Sequence, residues 1–175
     1  MTIASTEGAT VTIHTFKEGV AAAVAHDLEL TLRRFALAIS DDGTRVSATF
    51  DPGSFEVVGT VEQGIVRRDI LSAKDCATIV RHVSESVFDG KAALPIRFEG
   101  TVEEPAGDTC AIRGELTILG RTKPLAFVAR RRGDRWVAEV TIAQPDFGIR
   151  PFRAMFGALR IRPDVRVTVS VRALG

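Results

Sequence analysis

Strict alternation of apolar and polar residues constrains this chain more than any other feature. In 110–118 (C-A-I-R-G-E-L-T-I), 136–142 (W-V-A-E-V-T-I) and 165–171 (V-R-V-T-V-S-V), small or apolar residues recur at every second position. Successive side chains of a strand point to opposite faces, so a period of two calls for extended chain with one dry face and one wet face. The same pattern runs through 35–39, 46–50, 96–98 and 24–33. In the last of these, Val24, His26, Leu28, Leu30 and Leu32 share one face, and Ala25, Asp27, Glu29, Thr31 and Arg33 share the other. About eight such runs separated by turn signals predict an all-β fold, an antiparallel sandwich or barrel.

The turns carry their own chemistry. Asp41-Asp42-Gly43, Pro105-Ala106-Gly107-Asp108 and Arg132-Gly133-Asp134 lie between alternating runs, where Gly and Asp accept the backbone angles of tight hairpins. The segment 119–124 reads as a further turn, with Pro124 opening the next strand where a missing N–H is tolerated.

One stretch breaks the period. Over 72–87 the apolar residues Cys76, Ile79, Val80, Val83 and Val87 fall on a helical stripe, and Ser72 followed by Asp75 supplies a capping-box start. An amphipathic helix with one greasy stripe must lie against something. Here it is expected to cover or plug the barrel, with His82 beside Arg81 and away from the stripe.

Length and charge bound the function classes. At 175 residues the chain reads as one domain over 1–175, and a formal net charge of +1 provides no field to attract nucleic acid. Cys76 and Cys110 form no C-x-x-C and accompany no clustered His, so they read as buried small hydrophobes, with a disulfide unsupported and no metal site expected. The start M-T-I-A-S-T-E-G lacks the features of a signal peptide, and no stretch approaches the ~20 apolar residues of a membrane span. A cytoplasmic location is the expectation.

Catalytic motifs are sparse. His26 and Asp27 are adjacent, but alternation sends them to opposite faces, so they form no dyad with each other. An inward His26 has two readings, a donor to a ligand headgroup or a core histidine bonded to a carbonyl. His14, in the first strand, and His82 show no spacing that brings them together with it. There is no G-x-S-x-G elbow and no recognisable Cys nucleophile. Asp146-Phe147-Gly148 reads as a corner leading into a strand, with Gly148 permitting the bend and Phe147 anchoring it. After it, Phe147, Ile149, Phe152, Met155, Phe156 and Leu159 supply apolar surface, with Arg150, Arg153 and Arg160 interleaved. That segment reads equally as the mouth of a ligand site, its Arg meeting a phosphate or carboxylate, or as ordinary packing with solvated Arg at a rim.

The motifs A-H-D-L-E-L (25–30), R-D-I-L-S (68–72), L-P-I-R-F (94–98), R-G-E-L-T-I-L-G-R-T-K-P (113–124) and P-D-F-G-I (145–149) span most of the chain. Together they resemble the YceI-like family of lipocalin-like, polyisoprenoid-binding proteins. The resemblance implies an antiparallel lipocalin-like barrel with a long apolar tunnel for a polyisoprenoid or another amphiphile, and it brings no catalytic residues or cofactor. This chain departs from the pattern in its start and in the lengthened helix over 72–87.

On this reading the lumen-facing set is His26, Leu28, Leu30, Phe35, Leu37, Ile39, Phe98, Ile112, Leu116, Phe127, Trp136 and Val140. The mouth adds Phe147, Phe152, Arg153, Met155 and Phe156. The leading functional expectation is a non-enzymatic carrier of a polyisoprenoid, an isoprenoid quinone or another lipid. Two alternatives stand beside it: a closed-barrel interaction module acting through homodimerisation, and an enzyme using His26 on a small amphiphile.

Overall fold

The computed structural model describes residues 2–4, 8–20, 25–104 and 106–173; for 2–4 and Met155 it describes the backbone only. Val24 and Pro105, both assigned above from sequence, lie outside the described residues. The strands are β1 (Thr2–Ala4), β2 (Ala9–Thr15), β3 (Lys17–Glu18), β4 (Asp27–Leu32), β5 (Phe35–Ile39), β6 (Arg45–Phe50), β7 (Phe55–Glu62) and β8 (Ile65–Arg67). They continue with β9 (Ile96–Val102), β10 (Thr109–Ile118), β11 (Arg121–Arg132), β12 (Arg135–Ala143), β13 (Arg153–Ala154), β14 (Leu159–Ile161) and β15 (Asp164–Arg172). Among the described residues a single α-helix, α1 (Ala73–His82), sits between β8 and β9.

Twelve strands form one sheet in the order β1-β5-β6-β9-β10-β11-β12-β15-β2-β4-β7-β8, and β13, β14 and β3 make a small separate sheet. Every ladder is antiparallel. The count exceeds the eight runs expected because β1, β3, β8, β13 and β14 are only two or three residues long, and because adjacent apolar residues, Val57-Val58 in β7 and Phe127-Val128 in β11, break the alternation of two longer strands.

The large sheet curls so that its two ends meet through the chain rather than through a ladder. Arg33-Arg34 carry β4 directly into β5, and a 3-10 turn (Pro52–Ser54) carries β6 into β7. Arg33 donates its backbone N–H to the Ser54 carbonyl and Asp51 donates to that of Arg34, at 3.1 and 3.0 Å. Asp51 caps the turn by accepting from Gly53 N–H at 2.8 Å and pairs with the Arg34 guanidinium at 2.7 Å. Among the described residues no ladder joins β1 to β8, so the barrel stays open along this seam.

The inward face is apolar throughout. Val11, Ile13, Leu30, Leu32, Leu37, Ala48, Phe98, Leu116, Ile118 and Ile142 are buried in one continuous cluster. On the wall formed by β9 and β10, Gly100 stands opposite Gly114. A side chain on Gly114 would run into the Glu99 carbonyl and come within 2.8 Å of the Phe98 ring, and one on Gly100 would meet that ring at 2.7 Å. The glycine pair is therefore the floor on which Phe98 lies flat, and the ring leans on Phe127 with centroids 5.6 Å apart.

The turn between β10 and β11 is tighter than the sequence suggests. Leu119 and Gly120 alone make it, with φ of 50° and 76°, the left-handed pair of a two-residue hairpin. Pro124 accordingly lies within β11, opposite Glu115 of β10, instead of opening the strand.

Helix α1 starts as its sequence dictates. The Ser72 hydroxyl accepts from Asp75 N–H at 3.1 Å, and the Asp75 carboxylate accepts from Ser72 N–H at 2.9 Å, closing the capping box. The α-helical turns end at His82, and one wider π-helical turn (Val83–Val87) completes the predicted span. Ile79, Val83 and Val87 pack on the core, and Phe88, which follows them, is buried with its ring 5.8 Å from that of Phe55.

Candidate functional site

A cavity of about 760 Å³ occupies the barrel interior. The inward positions of β2, β4, β5, β6, β9, β10, β11, β12 and β15 form its walls, and Leu71, Ile79, Val83, Val87 and Phe88 of the helical segment close one flank. The alternation that makes the strands thus also makes the wall, since each contributes every second residue to one apolar surface. The helix covers the cavity and leaves the lumen unfilled.

Polar groups are few, and most of them gather at one end, with Arg172 at the other. Thr15 ends β2, and His26 immediately precedes β4, which is antiparallel to β2 with Thr15 opposite Leu28. Gln144 follows β12, whose last residue faces Asp164 at the start of β15. These three therefore line the same end of the cavity. The small sheet stands at this end too, since Ile161 lies opposite Lys17 and donates its N–H to the Phe152 carbonyl at 3.0 Å. His82 also lines the cavity and stacks on Phe152, ring centroids 5.0 Å apart.

Within this polar end, Thr15 Oγ1 is buried and has no hydrogen-bond partner among the described residues. Gln144 is buried and donates from Nε2 to the Arg162 carbonyl at 3.1 Å. Trp136 and Arg172 line the opposite end, β15 running from Asp164 to Arg172 between them. Eight residue steps at ~3.3 Å put the two ends about 26 Å apart along the strand.

The sequence-derived residues distribute as follows. His26, Leu28, Leu30, Leu37, Ile39, Phe98, Ile112, Leu116, Phe127, Trp136, Val140 and Phe152 line the cavity. Phe35 and Phe147 are buried at 9% and 5% exposure but lie behind the wall, Phe35 against Phe50 with centroids 6.1 Å apart. Arg153 is exposed on β13, and Phe156 is fully exposed with a left-handed φ of 56°. The Met155 side chain lies outside what is described. Arg150 and Arg160 are also absent from the cavity wall, so the arginines of 150–160 do not make its mouth.

One histidine placement, that of His82, differs from the sequence reading. His82 was expected away from the apolar stripe, yet it follows Ile79 by three positions and shares the cavity-facing side. His14 pairs across the β2–β4 ladder with Glu29, Nε2 to Oε2 at 2.7 Å. That histidine–carboxylate pair belongs to the polar face, as alternation requires of residues out of phase with Ile13 and Leu30, and neither residue lines the cavity. Asp27 instead accepts from Lys17 N–H at 2.8 Å. At the corner before Phe152, Gly148 takes a left-handed φ of 72° and closes the 3-10 turn (Gln144–Phe147), while Phe147 anchors it in the core.

Cys110 lines the far part of the cavity as a free thiol, and burial pushes its pKa up, so it behaves as an apolar wall residue. Cys76 is also free. Among the described residues no three His, Cys, Asp or Glu converge, and no helix is long and apolar enough to cross a membrane.

The YceI-like domain model matches residues 6–173 of the chain. Among solved structures, Burkholderia cenocepacia BcnA superposes with a TM-score of 0.64 at 13% identity, over 95% of this chain and 96% of BcnA. A Campylobacter jejuni YceI protein superposes with a TM-score of 0.56 at 16% identity, over 82% of each chain. At these identities the likeness is one of fold. No curated protein sequence matches the chain.

Proposed function

Because this chain belongs to the YceI-like family over nearly its whole length, we propose that it is a non-enzymatic carrier of one elongated apolar ligand, a polyisoprenoid, an isoprenoid quinone or a comparable lipid. The observation that carries this reading is the cavity: about 760 Å³, within the range of small-molecule sites, with a wall built almost wholly from aliphatic and aromatic side chains. Sequestering ~500 Å² of hydrocarbon at ~25 cal/mol per Å² contributes on the order of 12 kcal/mol, which reaches about the micromolar range once an association cost of ~4 kcal/mol is taken off.

The polar end of the cavity supports an amphiphile over a pure hydrocarbon. Thr15, His26 and Gln144 gather hydroxyl, imidazole and amide groups at one end, where a carbonyl or hydroxyl headgroup would find donors, while Arg172 stands at the other end beside Trp136. The tail would then run toward Trp136. The histidine–carboxylate pair of His14 and Glu29 lies outside the cavity, so the same geometry lends catalysis no support among the described residues. The size of the lumen also favours carriage over a filled interaction module.

Titration with N-phenyl-1-naphthylamine, whose fluorescence rises in apolar surroundings, tests the reading. A saturable one-to-one enhancement reversed by farnesol or longer prenols is expected. An unsaturable, prenol-insensitive signal would overturn it.

A further inference from the structure

The barrel wall is interrupted between two strands that are neighbours in sequence. β11 and β12 pair only from Arg132 opposite Arg135 to Ala129 opposite Ala138. Beyond that point β11 keeps its full ladder with β10, and β12 keeps its full ladder with β15. Continued register would bring 124–128 against 139–143, but no ladder forms there. At ~3.3 Å per residue the unpaired lips are about 17 Å long.

Residues of both faces border this interruption. A groove of about 440 Å³ is bordered by Ala126 and Val128 on one lip and by Glu139 and Thr141 on the other, all exposed outward. Leu125, Phe127 and Val140 border the same groove and also line the interior cavity. Those three apolar side chains therefore stand between the outer groove and the interior cavity.

The backbone is adapted to the gap. In the two-residue hairpin of β10 and β11, bonded and non-bonded pairs alternate from Ile118 opposite Arg121, so Pro124, Ala126 and Val128 direct their backbone polar groups toward β12. Pro124 has no N–H to leave unpaired there. A proline inside a strand is tolerated where its nitrogen faces an unpaired edge, and here that edge borders the gap. Above the gap, Arg121 lies against Gly148, where a side chain would come within 2.7 Å of its guanidinium carbon, so the lip is fixed at both ends.

We propose that the cavity is loaded and emptied laterally through this gap, an apolar chain passing between Leu125 and Phe127 on one side and Val140 on the other. The inference rests on the carrier function proposed above and adds its route. Bridging the lips should slow exchange of ligand without changing the cavity.

The test uses the full chain with Cys76→Ser, Ala126→Cys and Thr141→Cys, the last two in the middle of facing lips. The thiols are bridged by bis-maleimides of graded length. Stopped-flow fluorescence with N-phenyl-1-naphthylamine reads uptake and release, and equilibrium titration reads affinity. Bridging with a short linker is expected to slow uptake and release together by roughly ten-fold or more while leaving the dissociation constant unchanged, with mono-maleimide-capped protein exchanging as fast as the unmodified variant. Unchanged exchange in the bridged protein would overturn the lateral route and leave carriage standing. Absence of saturable binding in the unbridged and parent proteins alike would instead overturn carriage, and the route with it.

Discussion

The pair Gly100 and Gly114 shows how two residues with no side chains shape an apolar cavity. They lie opposite each other on β9 and β10, and Phe98 occupies the space their side chains would fill. Gly114→Val is expected to part the β9–β10 ladder at the Glu99 carbonyl and to displace the Phe98 ring, destabilising the protein by at least about 1–3 kcal/mol, the usual cost of overpacking a core. Thermal or urea unfolding measures that loss, and the same variant should bind apolar probes more weakly because the ring moves into the lumen. Alternation made the inward face legible at this scale, from Leu28 to Val140. It does not separate a side chain that lines a cavity from one packed behind it, since Phe35 and Phe147 carry the same signal as Phe98. Nor does the glycine floor announce itself, because Gly in a strand run reads first as an interruption. His82 follows Ile79 by three positions and so shares the greasy stripe, although its charged neighbour Arg81 makes that stretch of sequence read as polar.

At the level of elements, the helix that closes the cavity depends on its first turn. The Ser72 hydroxyl, and next its backbone N–H, bond the Asp75 carboxylate and hold its pKa below the ordinary value of 3.8. A carboxyl with a lowered folded pKa stabilises fully above its unfolded value, and the contribution fades as pH falls through the folded one. The cap should therefore be intact at neutral pH and weaken only in acid below about 3.8. Ser72→Ala is expected to raise amide exchange in α1 roughly five-fold at neutral pH, with little change in the β10–β11 hairpin. Uniform change across both elements would show that the cap is not local. The helix and its cap were readable from Ser72, Asp75 and the stripe because those signals are local. The parting of β11 from β12 was not, since it depends on which of two neighbouring ladders each strand follows, and Pro124 is its one trace in the sequence.

For the whole molecule, a curled twelve-stranded sheet, a covering helix and a wall parted between β11 and β12 describe a container. Its net charge of +1 gives no long-range field to draw in a charged partner, in keeping with the proposed carriage of an apolar ligand. The family and the barrel were legible from motifs spread along the chain, whereas an open lumen and a packed core share the same alternation and only the packed side chains tell them apart. Native mass spectrometry of freshly purified protein, followed by solvent extraction of whatever it carries, tests carriage most directly. The account predicts a discrete adduct that resolves to one long-chain lipid per protein, or uptake of one added prenol when the protein is first delipidated. A bare protein mass that persists in the presence of excess farnesol and longer prenols would contradict it.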